Sequence, residues 1–320
     1  TVVNSSGSTG TVYLGDVFNG TGKFDGSMTH IHLIDGTAYD ASAFGATNAA
    51  SGIWTPLASP SVTYGTNGFF LKFASSGALG TDSSGNSNTF TVNGSGTQTQ
   101  DAPSNVFATL NPLENFYAQS TFANGNTTLT TDTNYSFNTS TLGFSTGKYY
   151  WEAKITATNN DVFGITGRTN PGATTNELGH FADGWGFKSN DGAIRNNDTD
   201  TSYTSAFNTN GNIVQIAVDM TNLKLYLGVN GTWQVSSNPS TNTGGVTIGA
   251  SSTTTDGLYF AGVGDYSGGT ATYQFNFGNG YFGTTAVASG NADGAGYGIF
   301  EYAPPTGYYS LCTKNINTYG

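Results

Sequence analysis

GKYYWEAKI, residues 147–155, gathers three aromatic and three charged side chains in a chain otherwise dominated by glycine, serine, threonine and asparagine. Tyr149, Trp151, Ala153 and Ile155 alternate with Lys148, Tyr150, Glu152 and Lys154. A period of two is the signature of an extended strand with one buried face, and the aromatic and β-branched content favours strand over helix. The stretch therefore predicts a core strand anchored by Trp151, not a sugar-stacking platform. Its other face is expected to be polar and solvated, with Glu152 and Lys154 as a surface pair.

Working outward, the composition extends this reading to the whole chain. Of 320 residues, 46 are glycine, 13% are aromatic and only 9% are charged. Glycine and asparagine supply turns while aromatics and valines supply strands, so the expected class is all-β. The formal net charge is −11 and the pI is about 4.3. Without a basic stripe to displace counterions, nucleic acid is not an expected partner. No apolar run approaches the ~20 residues that a spanning helix needs, so no membrane insertion is expected. Cys312 is the only cysteine, which rules out an intrachain disulfide and marks it as a small buried hydrophobe. The first residue is Thr1 and no signal-peptide pattern follows, as in a processed form or a fragment.

Strand and turn signals recur along the chain. Met28, His30 and His32 alternate with Thr29, Ile31 and Leu33, and the Asp35-Gly36 turn follows. AYDASAFG offers a short helical turn capped by Asp40 or Ser42. Phe69, Leu71 and Phe73 form another alternating set. A hairpin is expected around Asn190-Asp191-Gly192. In the pair 213–231, Val214, Ile216 and Val218 share one face and, after a turn at Met220 to Asn222, Leu223, Leu225, Leu227 and Val229 share another; Asn230-Gly231 closes a further tight turn. No segment shows a helical period, and no repeat of fixed length appears.

This succession resembles the SPRY domain, the core of the B30.2 module. The motifs are Gly147–Glu152, Val162–Ile165, Gly184–Gly192, Ile213–Gly231 and Tyr259–Gly278, covering about residues 127–280. Gln215 departs from the family pattern, which has a small residue there. The flanks, with KFDGSMTHIHLIDGTAYDASAFG, FATLNPL and APPTGYYSLCTKNI, resemble virion-associated proteins of marine and cyanobacterial phages. In those proteins a concanavalin-like, laminin-G-type domain precedes a SPRY-like one. The resemblance implies an antiparallel β-sandwich of the concanavalin/SPRY jelly-roll kind over residues 67–320. Residues 1–66 would form an N-terminal β segment with a laminin-G-like terminal strand and a connector. An unpaired strand edge readily takes a partner, so SMTHIHLI is expected to pair with the sandwich or with a neighbouring subunit.

Chemistry is sparse. Retaining glycosidases need two carboxylates roughly 5 Å apart, yet the four glutamates, Glu114, Glu152, Glu177 and Glu301, are scattered. His30 and His32 share a strand face but lack a third zinc ligand nearby in sequence. Asp82, Asn86 and Asn88 in DSSGNSN, with Ser84, alternate as oxygen ligands suited to calcium, against an ordinary Asx-turn loop. No other cofactor is indicated. Binding loops of sandwiches lie between strands; here the candidates are 169–185, 195–203 and 237–245. Asn176, His180, Trp185, Asn197, Asp198, Tyr203 and Asn238 are their candidate ligand-binding residues.

The combined expectation is a non-enzymatic virion structural protein, a fibre, tail or capsid decoration at the virion surface. It would form a homo-oligomer or join other virion proteins and display loops to a host-surface glycan. The rival is a carbohydrate- or protein-binding module of an extracellular filament or adhesin.

Overall fold

The computed structural model describes residues 12–15, 24, 28–47, 54–75, 77–94, 96, 98, 101–102, 105–117, 119–172, 176–266 and 268–320. The Gly/Ser/Thr lead at 1–11 and positions 173–175 of the 169–185 loop lie outside these residues. The chain divides into two compact units, 1–43 with 61–98, and 44–60 with 99–320. A boundary at 66 therefore cuts through the smaller unit. The reason is pairing: Ile31–Leu33 runs antiparallel to Phe69–Leu71, with Ile31 opposite Leu71. Asp35 Oδ2 accepts the Asn67 backbone and side-chain N–H groups, at 3.0 and 2.8 Å. The strand in SMTHIHLI thus pairs inside its own unit. His32 stacks on Phe70 at 4.0 Å and bonds the Tyr64 hydroxyl at 2.9 Å. Burial, with the charge of His30, holds its pKa down at about 4. The helical turn in AYDASAFG is a single 3-10 turn, Ala41–Ala43, whose Ser42 N–H donates to Asp40 Oδ1.

The larger unit is a two-sheet sandwich. One seven-stranded sheet orders its antiparallel strands as Thr199–Ser202, Ala193–Asn196, Gly184–Lys188, Asp161–Thr166, Tyr259–Asp265, Ser136–Phe144 and Leu110–Tyr117. The main path of the facing nine-stranded sheet runs Thr232–Trp233, Lys224–Val229, Ile213–Asp219, Lys148–Ala157, Thr272–Asn276, Thr128–Thr130 and Thr121–Ala123. The expected register holds: Val214, Ile216 and Val218 stand opposite Val229, Leu227 and Leu225. Trp151, Val214, Ile216, Val218, Leu225, Leu227 and Phe275 are all buried in one cluster. Aromatic rings join the two sheets, Phe144 to Trp151 at 6.4 Å and Phe163 to Tyr273 at 5.0 Å.

Two sequence expectations need correction. The second face of residues 148–155 is not solvated: Tyr150 and Glu152 are fully buried. The C-terminal segment lies over that face, and Phe300 and Tyr308 pack with Tyr150, Ala217 and Tyr226 as a separate apolar cluster. Tyr309–Ser310 adds a short parallel strand against Tyr149 and Tyr150. The chain also contains a helix, Thr313–Tyr319. It is too short for a periodic pattern to show, and Leu311 and Cys312 before it are buried in the main core.

Glycines shape the outer face of the other sheet. Gly164 stands opposite Gly186 on one side and Gly262 on the other. A Cβ on Gly262 would meet Leu178 Cδ1 at 2.7 Å, and one on Gly186 would meet Leu178 O at 2.9 Å. The glycine row is the trough in which Leu178 lies. At Gly164 a Cβ would fall 2.0 Å from Trp185 O, a backbone atom that cannot swing away. Gly164→Ala is expected to cost about 1–3 kcal/mol through forced strand displacement. Urea titration checks this, and a loss under about 0.5 kcal/mol, within the range of an ordinary surface change, would show that the sheet absorbs the methyl group.

Candidate functional site

The densest group of charged side chains gathers on the hairpin Ala193–Asn196/Thr199–Ser202. Asn197 and Asp198 form its two-residue turn, both left-handed with φ of 50° and 57°, as a type I′ hairpin turn requires. That turn sets Arg195 opposite Asp200, and Arg195 Nη1 donates to Asp200 Oδ1 at 2.7 Å. Arg195 Nη2 also donates to Asp198, and Nε lies 2.7 Å from Glu177 Oε1. Lys188 Nζ reaches Asp200 at 2.5 Å and Asp191 at 3.0 Å. His180 Nδ1 is 3.3 Å from Asp198 Oδ1.

Leu178 explains how Glu177 comes to be buried. With Leu178 seated in the glycine trough, Glu177 and His180 on either side of it are carried to the hairpin. Gly179, at φ 90°, passes so close that a Cβ would lie 2.4 Å from Arg195 O. Phe181 sits beneath the Arg168 guanidinium at 3.7 Å. Arg168 Nε donates to Asp183 Oδ1 at 2.9 Å, and Asp183 Oδ2 accepts Thr255 N–H and Oγ1–H. Residues 176–183 are therefore fixed to the sheet and to the 254–256 loop.

The electrostatics follow the packing. Burial lowers the pKa of Arg195 and Lys188, but their carboxylate partners outweigh it and raise both. Burial raises that of Asp200, and the bonds from Lys188 and Arg195 outweigh it and lower it. One ligand atom each from Glu177, His180 and Asp198 lie within 4.8 Å of one another, a donor set that suits a divalent ion. The Arg195 guanidinium, however, already occupies Glu177 and Asp198. A metal would have to displace a cation, so the cluster is a salt-bridge knot and not a metal centre.

Of the residues picked from sequence, His180, Asn197 and Asp198 meet in this cluster; Asn197 N–H donates to Phe181 O at 3.2 Å. Asn176 stands apart, donating to Pro171 O at 2.8 Å. Trp185 is a core residue packed on Tyr259, only 8% exposed, so its ring is not offered as a platform. Tyr203 is half-buried against Phe187. Asn238 belongs to a separate exposed turn, where its Oδ1 accepts Ser240 N–H. Residues 195–203, read from sequence as a loop, are mostly hairpin. Arg195, Glu177 and Lys188 were missed, although a turn at Asn197-Asp198 by itself sets Arg195 opposite Asp200.

In the smaller unit, Asp82 holds its own loop. Its Oδ1 accepts Phe70 and Ser84 N–H groups, and its Oδ2 accepts Ser84 Oγ–H and Asn88 N–H. Asn86 and Asn88 donate from Nδ2 to Gly68 O, each at 2.9 Å. Both Asp82 oxygens are thus engaged as an Asx-turn hub, and the two carboxamides clasp residues 65–68. The burial of Asp82 raises its pKa, and the four donors outweigh that and lower it. A cleft of about 440 Å³ in this unit is lined by Leu79, Phe90, Val92 and glycine-rich main chain, with no titratable side chain among the described residues.

The sequence matches no protein-family model and no curated protein. Among solved structures, the SPRY domain of human HERC1 is 15% identical with a TM-score of 0.39, over 52% of this chain and 96% of that one. Stonustoxin is 16% identical with a TM-score of 0.39, over 53% of this chain and 27% of that one.

Proposed function

We propose that the chain is a non-enzymatic structural protein of a virion, part of a fibre, tail or capsid decoration. It self-associates or joins other virion proteins at the particle surface, and the 176–203 region faces outward to a host-surface glycan. The virion setting rests on the flanking sequences KFDGSMTHIHLIDGTAYDASAFG and APPTGYYSLCTKNI. The observation that carries the non-enzymatic part is the fate of the buried carboxylates. Asp161 and Asp265 are cross-strand partners in the seven-stranded sheet. Both are fully buried. Asp161 Oδ1 accepts Asn159 N–H and Tyr273 O–H, and its Oδ2 accepts Thr158 and Ser189 hydroxyls. Glu177 is taken by Arg195 and Glu152 by main-chain donors. These acids bind the protein to itself.

Two measurements test the reading. In density-gradient fractions from the source, the chain is expected to co-sediment with nucleic-acid-containing particles at a fixed copy number. Recovery only from cell-surface filaments would favour the adhesin reading instead. Purified protein is also expected to release no reducing sugar from host polysaccharide. Release that disappears in a Glu114→Gln, Glu177→Gln or Asp161→Asn variant of intact fold would make it an enzyme.

A further inference from the structure

An asparagine followed by glycine can react with itself. The glycine amide nitrogen attacks the asparagine Cγ, and with no Cβ on the glycine the approach is unhindered. A succinimide ring closes and Nδ2 leaves as ammonia. Water then opens the ring at one carbonyl or the other, giving aspartate or isoaspartate. Two groups must be free for ring closure: the glycine N–H, which loses its proton, and the asparagine carboxamide, which must turn back onto the main chain. The same dipeptide is therefore reactive or inert according to the hydrogen bonds around it.

The chain has Asn-Gly pairs at Asn19, Asn67, Asn93, Asn124, Asn210, Asn230 and Asn279. The first lies outside the described residues. Three of the others are closed at the glycine. Gly211 N–H donates to Ile155 O at 2.7 Å, Gly231 N–H to Gln215 Oε1 at 2.7 Å and Gly280 N–H to Asn276 Oδ1 at 3.1 Å. Two of these are closed at the carboxamide as well: Asn210 Oδ1 accepts Thr158 N–H at 2.9 Å, and Asn230 Oδ1 accepts Ile213 N–H at 2.8 Å. Asn67 and Asn124 are held at the carboxamide, Asn67 Nδ2 donating to Asp35 Oδ2 at 2.8 Å and Asn124 Nδ2 to Thr128 Oγ1 at 2.9 Å. Gly68 is also wedged against main chain, where a Cβ would fall 1.9 Å from Tyr64 O.

Asn93-Gly94 is closed at neither group. Asn93 is exposed, and among the described residues neither it nor Gly94 makes a hydrogen bond. A Cβ on Gly94 would meet nothing within 4 Å, so the main chain has room to turn. Gly94 also lines the cleft formed by Leu79, Phe90 and Val92.

We infer that Asn93 is a site of spontaneous deamidation, the one described Asn-Gly pair in which neither reacting group is held. The overall change consumes one water and releases one ammonia, and it needs no enzyme. It places a carboxylate at the rim of a cleft whose described lining carries none. The isoaspartyl product also lengthens the main chain by one methylene there. An ageing molecule thus turns this uncharged cleft anionic, while the hydrogen-bonded pairs keep their amides.

Timed incubation of the whole folded chain at pH 8, followed by peptide mapping with mass spectrometry, tests this. The peptide holding Asn93 is expected to gain the amide-to-acid mass difference, and an isoaspartyl methyltransferase should label it. Asn210, Asn230 and Asn279 should convert at least about tenfold more slowly, because the bonds that hold them must open first. In urea that difference should collapse, since the pairs then share the same local chemistry. Asn93→Gln should remove the new acidic species from an ion-exchange profile. Conversion of Asn93 no faster than Asn230 in the folded chain overturns the inference. Equal conversion at Asn67 or Asn124 overturns it too, as does the same ranking in urea, which would assign the difference to sequence and not to the fold.

Discussion

Trp151→Ala is expected to lower the unfolding free energy by about 3–5 kcal/mol, the range for aromatic truncation in a rigid core. The indole is 1% exposed. It meets Phe144 of the facing sheet and Phe277, just past the end of Thr272–Asn276, each at 6.4 Å between ring centres, and stands opposite Ile216. None of these can collapse into the space, because Phe144 is also held against Tyr149 at 4.9 Å and Phe277 against Phe275 at 5.5 Å. The cavity term therefore adds to the lost burial instead of being relaxed away. Against a domain stability of about 5–15 kcal/mol, the variant should unfold at a much lower urea midpoint. A loss below 1.5 kcal/mol, roughly the transfer of a smaller side chain, would mean that the sandwich repacks around the gap.

The buried face of that strand was legible from alternation alone. Alternation assigns one face to the core, but it cannot tell whether the other face meets water or another part of the chain. Tyr150 and Glu152 looked like the polar side because Lys148 and Lys154 share it. The two lysines do stay partly exposed at the ends. Between them, a segment some 150 positions later covers the face, and its residues 299–309 carry no strand or helix period to announce it. Gln215 was the available signal. A long polar side chain in an otherwise apolar strand needs a buried partner, and its partners are Tyr150 and Gly231. A similar limit applied at Leu178. GWG, FGIT and AGVG were readable as strands, but the row that Gly186, Gly164 and Gly262 make across three strands exists only once the register is known. That row seats the loop and so assembles the ion cluster. His180 and Asp198 are legible as loop residues; Arg195, which holds them, becomes visible only once the Asn197-Asp198 turn is read as a hairpin that sets it opposite Asp200.

Arg195→Ala tests whether that cluster is a fold element or a surface ornament. Exposed ion pairs contribute about 0–1 kcal/mol, and Asp198 and Asp200 are largely exposed. Glu177 is different, its side chain only 4% exposed beside Arg195. Removing one partner of a buried pair strands the other charge, at a cost of about 3–5 kcal/mol. With Arg195 itself at 19% exposure, the lower end applies, and a loss of about 3 kcal/mol is expected. The double variant Arg195→Ala/Glu177→Gln separates the causes. If the cost lies in the stranded carboxylate, the double variant should recover at least 1 kcal/mol over the single one, an interaction of the size expected for contacting residues. Added salt should change the single variant little, because a buried charge is poorly screened. If instead the single variant loses under 1 kcal/mol, Leu178 in its glycine trough seats residues 176–183 without help, and Arg195 only decorates the surface.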